Sequence, residues 1–134
     1  MTGRILLVEA DVVLGAVLAE VLRHSGYEVT VVRTLQGKVE RIDPVSAVIL
    51  DIDTTSAEKE LAWLDAFQPY DKSLAIVLMG MKVTQELRHR LRTHLGRPQS
   101  NDLALVQKPF RNEELLAAVR QAQESNLPGQ ATGI

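Results

Sequence analysis

Ala47-Val48-Ile49-Leu50-Asp51 is a run of four apolar residues, most of them branched, that ends abruptly on a carboxylate. It shows no polar alternation. A short run of this kind reads as a strand covered on both faces, which is the usual state of a strand in a parallel sheet. In an open α/β sheet, chemistry gathers in the crevice at the carboxyl ends of the strands. Asp51 therefore stands where such a fold places a reactive group. The plainer reading, an Asp that opens a loop after a strand, stands beside it.

Outward from this stretch the same signal repeats. Residues 5–8 (Ile-Leu-Leu-Val) make a buried-strand candidate that runs into Glu9-Ala10-Asp11, and further strands are predicted at 28–32, 74–79 and 103–106. Helical spacing fills the intervals. Leu14, Leu18, Val21 and Leu22 form one stripe, with Gly26 as its stop. A weak segment over 34–41 contains Gly37, and Asp43-Pro44 breaks it. Ala57, Leu61 and Leu64 form another stripe, with Trp63 and Phe67 beside it and Pro69 at its end. Val83, Leu87, Leu91 and Leu95 recur at every fourth residue of a polar helix, followed by Gly96 and Pro98. Leu115, Leu116, Val119 and Ala122 define a last helix with Asn112 as its N-cap. Strands alternating with helices imply right-handed crossovers and an α/β domain whose parallel sheet is covered on both faces. Five units suit a doubly wound sheet in the order 2-1-3-4-5. One domain is expected over 1–124. The tail 125–134, with Pro128, Gly129 and Gly133, is expected to be disordered.

The 134 residues are enough for one core, and folding can bury roughly two-thirds of the unfolded surface. A formal net charge of -2 gives no global attraction to nucleic acid or anionic lipid. The absence of cysteine excludes disulfides, thiolate catalysis and zinc–thiolate sites. No leader precedes the first strand and no apolar run approaches the ~20 residues of a membrane span, so a cytoplasmic domain is expected.

Charged groups close three of the predicted strands: Glu9 and Asp11 the first, Asp51 and Asp53 the third, Lys108 the fifth. In the predicted strand order these ends share one crevice. Carboxylates held together repel, which raises at least one pKa unless a cation intervenes. A hard divalent cation such as Mg²⁺ answers this with oxygen ligands and keeps waters for an incoming phosphate. A lysine at the same rim would neutralise a phosphoryl group as a point charge. An Asp–Lys ion pair that merely closes the top of the sheet explains the spacing equally well.

Taken together, Ile5-Leu6-Leu7-Val8-Glu9, Gly26-Tyr27-Glu28-Val29, Val48-Ile49-Leu50-Asp51 and Lys108-Pro109-Phe110 resemble the receiver domain of bacterial two-component response regulators over about residues 4–124. The resemblance implies a flavodoxin-like (βα)5 three-layer sandwich. It implies that Asp51 accepts a phosphoryl group from a histidine kinase or phosphotransfer protein and that Lys108 contacts the phosphoryl oxygens. It further implies Mg²⁺ held by acidic residues after the first strand, by Asp51 and by the backbone carbonyl of Asp53, and a cis Lys108–Pro109 bond. No enzyme is expected beyond self-phosphorylation from a phosphodonor at Asp51.

Three positions depart from that pattern. The second acidic residue of the metal site is Ala10, with Asp11 one residue further on, where it is placed either to ligate or to cap the first helix. The Asp53 side chain is a candidate for replacing the lost charge. The hydroxyl residue that ends the fourth strand is replaced by Met79, whose thioether donates no hydrogen bond. The aromatic residue three before the lysine is replaced by Leu105. The expectation is an atypical receiver with a weakened metal site and switch. The alternative is a non-phosphorylated interaction module that dimerises or docks through the helix 83-95, strand 103-106 and helix 112-124 face. Lys82, Arg88, Arg90, Arg92 and His94 around the leucine stripe are either a solvated face or part of that surface.

Other signals are weaker. His89 and His94 are five apart and make no i, i+4 metal pair, and His24 suits a helix end. Nucleic-acid binding lacks a recognition helix pair or aromatic platform. A small flavodoxin-like enzyme or cofactor carrier remains a third class, although no Gly-x-Gly-x-x-Gly follows a strand.

Overall fold

Five parallel strands line up in the order β2-β1-β3-β4-β5, as the sequence predicts. In this computed structural model the described residues are 3–36, 45–56, 58–60, 75–82, 84–94 and 103–124. The elements are β1 (Arg4–Val8), α1 (Val12–His24), β2 (Glu28–Val32), β3 (Ala47–Asp51), β4 (Ala75–Gly80), α2 (Gln85–His94), β5 (Leu103–Gln107) and α3 (Asn112–Glu124). Expectations for 37–44, for the stripe of Ala57, Leu61 and Leu64 with Trp63 and Phe67, for the loop 96–102 and for the tail 125–134 fall outside the described residues. So do the side chains of Arg88, Leu91, Arg92 and His94, together with Val83 and Leu95.

Alternate residues of each central strand enter opposite layers. Ile5, Leu7, Ile49, Val77 and Val106 pack with Leu18 and Leu22 of α1 and with Leu115 and Val119 of α3. Leu6, Val8, Val48, Leu50, Ile76 and Leu78 pack on the other face with Leu35 and the partly buried Leu87 of α2. All five residues of β3 are buried, which is why that stretch shows no alternation. At the sheet edge, β2 pairs only with β1 and is more open to solvent.

Local chemistry sets most boundaries. Asp11 Oδ1 accepts the Leu14 N–H at 3.0 Å and caps α1. Past its far end Gly26 has φ +97°, and the Tyr27 N–H returns to the Leu22 carbonyl. Thr84 Oγ1 accepts the Leu87 N–H ahead of α2. The expected N-cap of α3 needs correction: Asn112 is already helical. The carbonyl of Arg111 accepts the first helical bond, and the Glu114 carboxylate reaches back to the Arg111 N–H at 3.1 Å, half of a capping box. A Glu at the third helical position outcompetes Asn here. The weak helix predicted from Thr34 is not seen over 34–36, which form a bend and turn.

Candidate functional site

The carboxyl ends of β1, β3 and β5 converge because β1 and β3 are neighbours in register, Val8 opposite Leu50, and β5 lies beyond β4. Asp51 closes β3 and is fully buried, 0% exposed. Its Oδ2 pairs with Lys108 Nζ at 2.7 Å, and its Oδ1 accepts the Asp53 N–H at 2.8 Å. Lys108, 19% exposed, lies just past β5 and also reaches Asp53 Oδ2 at 3.2 Å. The Lys108–Pro109 bond is cis, as expected.

Glu9 is the third group of the cluster. It is buried at the end of β1, and its Oε2 accepts the Asp11 N–H at 3.0 Å and the Thr54 hydroxyl at 2.7 Å. Its Oε1 is buried and has no hydrogen-bond partner among the described residues. Burial first, and then the neighbouring Asp51 carboxylate, push Glu9 up from 4.5 to about 7. Burial disfavours the charged form of Asp51, but the contacts with Glu9 and Lys108 and the Asp53 N–H outweigh it and hold its pKa below the usual value. For Lys108, burial is likewise outweighed by the hydrogen bond and charge of Asp51, then by Asp53, and its pKa is raised.

The remaining predicted site residues take separate places. Asp11 is exposed and serves α1 as its cap. The Asp53 carboxylate accepts the Met81 N–H at 3.0 and 3.2 Å while it pairs with Lys108. Met79 is fully buried among the α1 and α3 contacts, whereas Leu105 is partly buried on the opposite face of the sheet. Among the described residues no three His, Cys, Asp or Glu side chains are grouped to hold a metal. Thr54 has no counterpart in the sequence reading. Its Oγ1 accepts the Ala10 N–H at 3.4 Å while donating to Glu9, so a hydroxyl from the β3 loop fills part of the polar role left by Ala10. No periodicity marks it; only its place three residues after Asp51 points there.

Whether the residues fit a divalent cation turns on Glu9. An orphaned buried oxygen beside a second carboxylate is what a hard cation satisfies, so Glu9 and Asp51 fit one as a pair of charged oxygen donors.

A parallel 2-1-3-4-5 sheet with flanking helices is the flavodoxin-like fold that CheY-like receiver domains also have. Solved structures agree at low sequence identity. A response regulator receiver domain protein from Methanospirillum hungatei JF-1 matches with a TM-score of 0.71 at 19% identity, over 94% of this chain and 97% of that one. The Vibrio cholerae chemotaxis protein CheY4 matches with a TM-score of 0.72 at 16% identity, over 91% and 99%. NtrX from Brucella abortus matches over 98% of this chain but only 29% of its own, with a TM-score of 0.69 at 22% identity. No family model and no curated protein matches the sequence.

Proposed function

We propose that this chain is a signal-transduction receiver domain in which Asp51 accepts a phosphoryl group from the phosphohistidine of a histidine kinase or phosphotransfer protein. One observation supports this above the others. A fully buried aspartate at a strand end is paired at 2.7 Å with a lysine from a distant strand end, beside a carboxylate with an unsatisfied oxygen. An Asp–Lys pair that only closed the sheet would have no use for a second buried carboxylate beside it.

The reaction is an in-line displacement. An Asp51 carboxylate oxygen attacks phosphorus, the P–N bond to imidazole breaks as the P–O bond forms, and the imidazole leaves. No general base is needed, because the nucleophile is already ionised and its pKa is held low. Catalysis rests on position and on charge neutralisation by Lys108. Lys108 covers Asp51, so it must shift toward the incoming oxygens to open the site. A bound Mg²⁺, held by Glu9, Asp51 and the Asp53 carbonyl, would supply neutralising charge, with a weakened site because Ala10 contributes none. The reading is of a signalling module and not a turnover enzyme, in the cytoplasm. No described helix is long and apolar enough to cross a membrane.

The test is intact mass after incubation with an acyl phosphate and Mg²⁺. One added phosphoryl, absent in Asp51→Asn, is expected. No adduct, while a competent regulator is modified in parallel, would overturn the proposal.

Met79 favours a second reading. A buried thioether where a hydroxyl would meet the phosphoryl group suits a non-phosphorylated interaction module. Such a module would work as a homodimer or docked partner through the face of α2, β5 and α3, where Lys82 and Arg90 are exposed. It predicts no Mg²⁺ binding and a complex disrupted by Arg90→Glu.

A further inference from the structure

The Asp53 side chain ties the loop after β4 to the cluster. The Asp53 carboxylate sits between two donors: Lys108 Nζ at 3.2 Å from Oδ2, and the Met81 N–H at 3.0 Å from Oδ2 and 3.2 Å from Oδ1. The loop is held from other directions as well. Gln107 donates through Nε2 to the Met81 carbonyl, and the Lys108 N–H donates to the Gly80 carbonyl at 2.8 Å. Gly80 allows this packing, since a Cβ there would lie 2.5 Å from Ile52 Cγ1 and 3.1 Å from Asp53 Oδ1. Met81 itself is an exposed apolar side chain, 63% accessible, at the edge of a groove of about 440 Å³. Leu14, Val17, Pro109 and Phe110 line that groove too.

We infer that Asp53 is a positioning residue that couples Lys108 to Met81, so that charge arriving at Asp51 is read out as release of the Met81 loop and reshaping of the groove beside it. The argument is electrostatic. Lys108 is shared between Asp51 and Asp53, and its attraction offsets the repulsion between their carboxylates. A phosphoryl group on Asp51 adds negative charge at that point and draws Lys108 toward its oxygens. Asp53 then loses its cation while facing a stronger anion, and the displacement that relieves this breaks its bonds to the Met81 N–H. The route needs neither a hydroxyl at position 79 nor an aromatic ring at 105. It rests on the phosphoacceptor reading for its trigger, whereas the coupling is a property of the unmodified chain.

The coupling is tested by a double-mutant cycle read at the Met81 amide by hydrogen exchange. In Lys108→Met the uncompensated carboxylates repel, and Met81 protection falls by about tenfold, the factor expected for losing a charge-assisted bond. In Asp53→Ala protection falls similarly, and adding Lys108→Met to it produces little further change. An equal effect of Lys108→Met in both backgrounds, or none in either, overturns the inference. The trigger is tested in the wild-type chain, treated with acyl phosphate and followed by intact mass alongside exchange. Adduct with loss of Met81 protection supports the relay. Adduct with unchanged protection overturns it, although Asp51 is then a phosphoacceptor. Absence of adduct overturns the phosphoacceptor reading and the trigger with it, and the cycle alone then decides the coupling.

Discussion

Around Asp51 the rim of the sheet is crowded with charge: Glu9, Asp53 and Lys108 surround a buried carboxylate, and a loop hydroxyl supports Glu9. One strand over, in register with Asp51, the rim is apolar: Met79 is packed into the core, and Ile52 lies over the bare backbone of Gly80. Buried charge is costly to keep, and apolar filling is not. The first region thus bears a cost in stability that the second does not. On our reading, capture of a phosphoryl group is kept here and the usual way of reporting it is not.

The largest effect that separates the two regions should come from Lys108→Ala, which strands Asp51 in the interior. A loss of about 3 kcal/mol or more is expected in urea unfolding at pH 7.5. A loss below about 1 kcal/mol would mean that water already solvates the pair.

Next comes pH. Glu9 binds its proton up to about pH 7 in the folded chain and ordinarily only to 4.5. Between those values the folded state holds more protons than the unfolded one, so stability falls as pH rises through this window. The fall amounts to as much as about 3 kcal/mol and is complete above about pH 7. Glu9→Gln should flatten it and raise stability at pH 8. A stability curve of unchanged slope in that variant would show that Glu9 is not the group responsible.

The apolar region responds through packing. Gly80→Ala forces its new methyl against Ile52 and should cost about 1–3 kcal/mol, recovered in part by Ile52→Ala. Failure of the second change to restore any stability would place the strain elsewhere. The smallest effect, about 1 kcal/mol at pH 8, is expected from Thr54→Val, which removes one donor from Glu9. Because that donor lowers the Glu9 pKa, the descent in stability should also move to higher pH.

The strand ends were legible in the sequence because an apolar run that stops on a charged residue marks both burial and position. Asp51, Lys108 and Glu9 are therefore found where they were expected. The parallel sheet followed from the alternation of periods, and its order from the fit of five units to a doubly wound sheet. What was hidden depends on chain segments approaching in space. Glu60, on the turn of helix after β3, accepts the Thr34 hydroxyl at 2.5 Å and the Leu35 N–H at 2.9 Å, tying that helix to the end of β2. None of these three residues is unusual in its local context. The bond from the Asp53 carboxylate to the Met81 N–H was equally invisible, since it joins two strand ends far apart in the chain. The cap of α3 misled for a local reason: Asn112 and Glu114 each signal a helix start, and the longer side chain set the boundary one residue earlier.

Whether Asp51 is the acceptor is settled most directly by trapping its acyl phosphate. After incubation with an acyl phosphate, borohydride reduces an aspartyl phosphate to homoserine, which tryptic digestion would place within peptide 42–59. Homoserine at position 51, with Asp43 and Asp53 intact, is the predicted result. Unreduced Asp51, under conditions that convert a known regulator, would contradict the account.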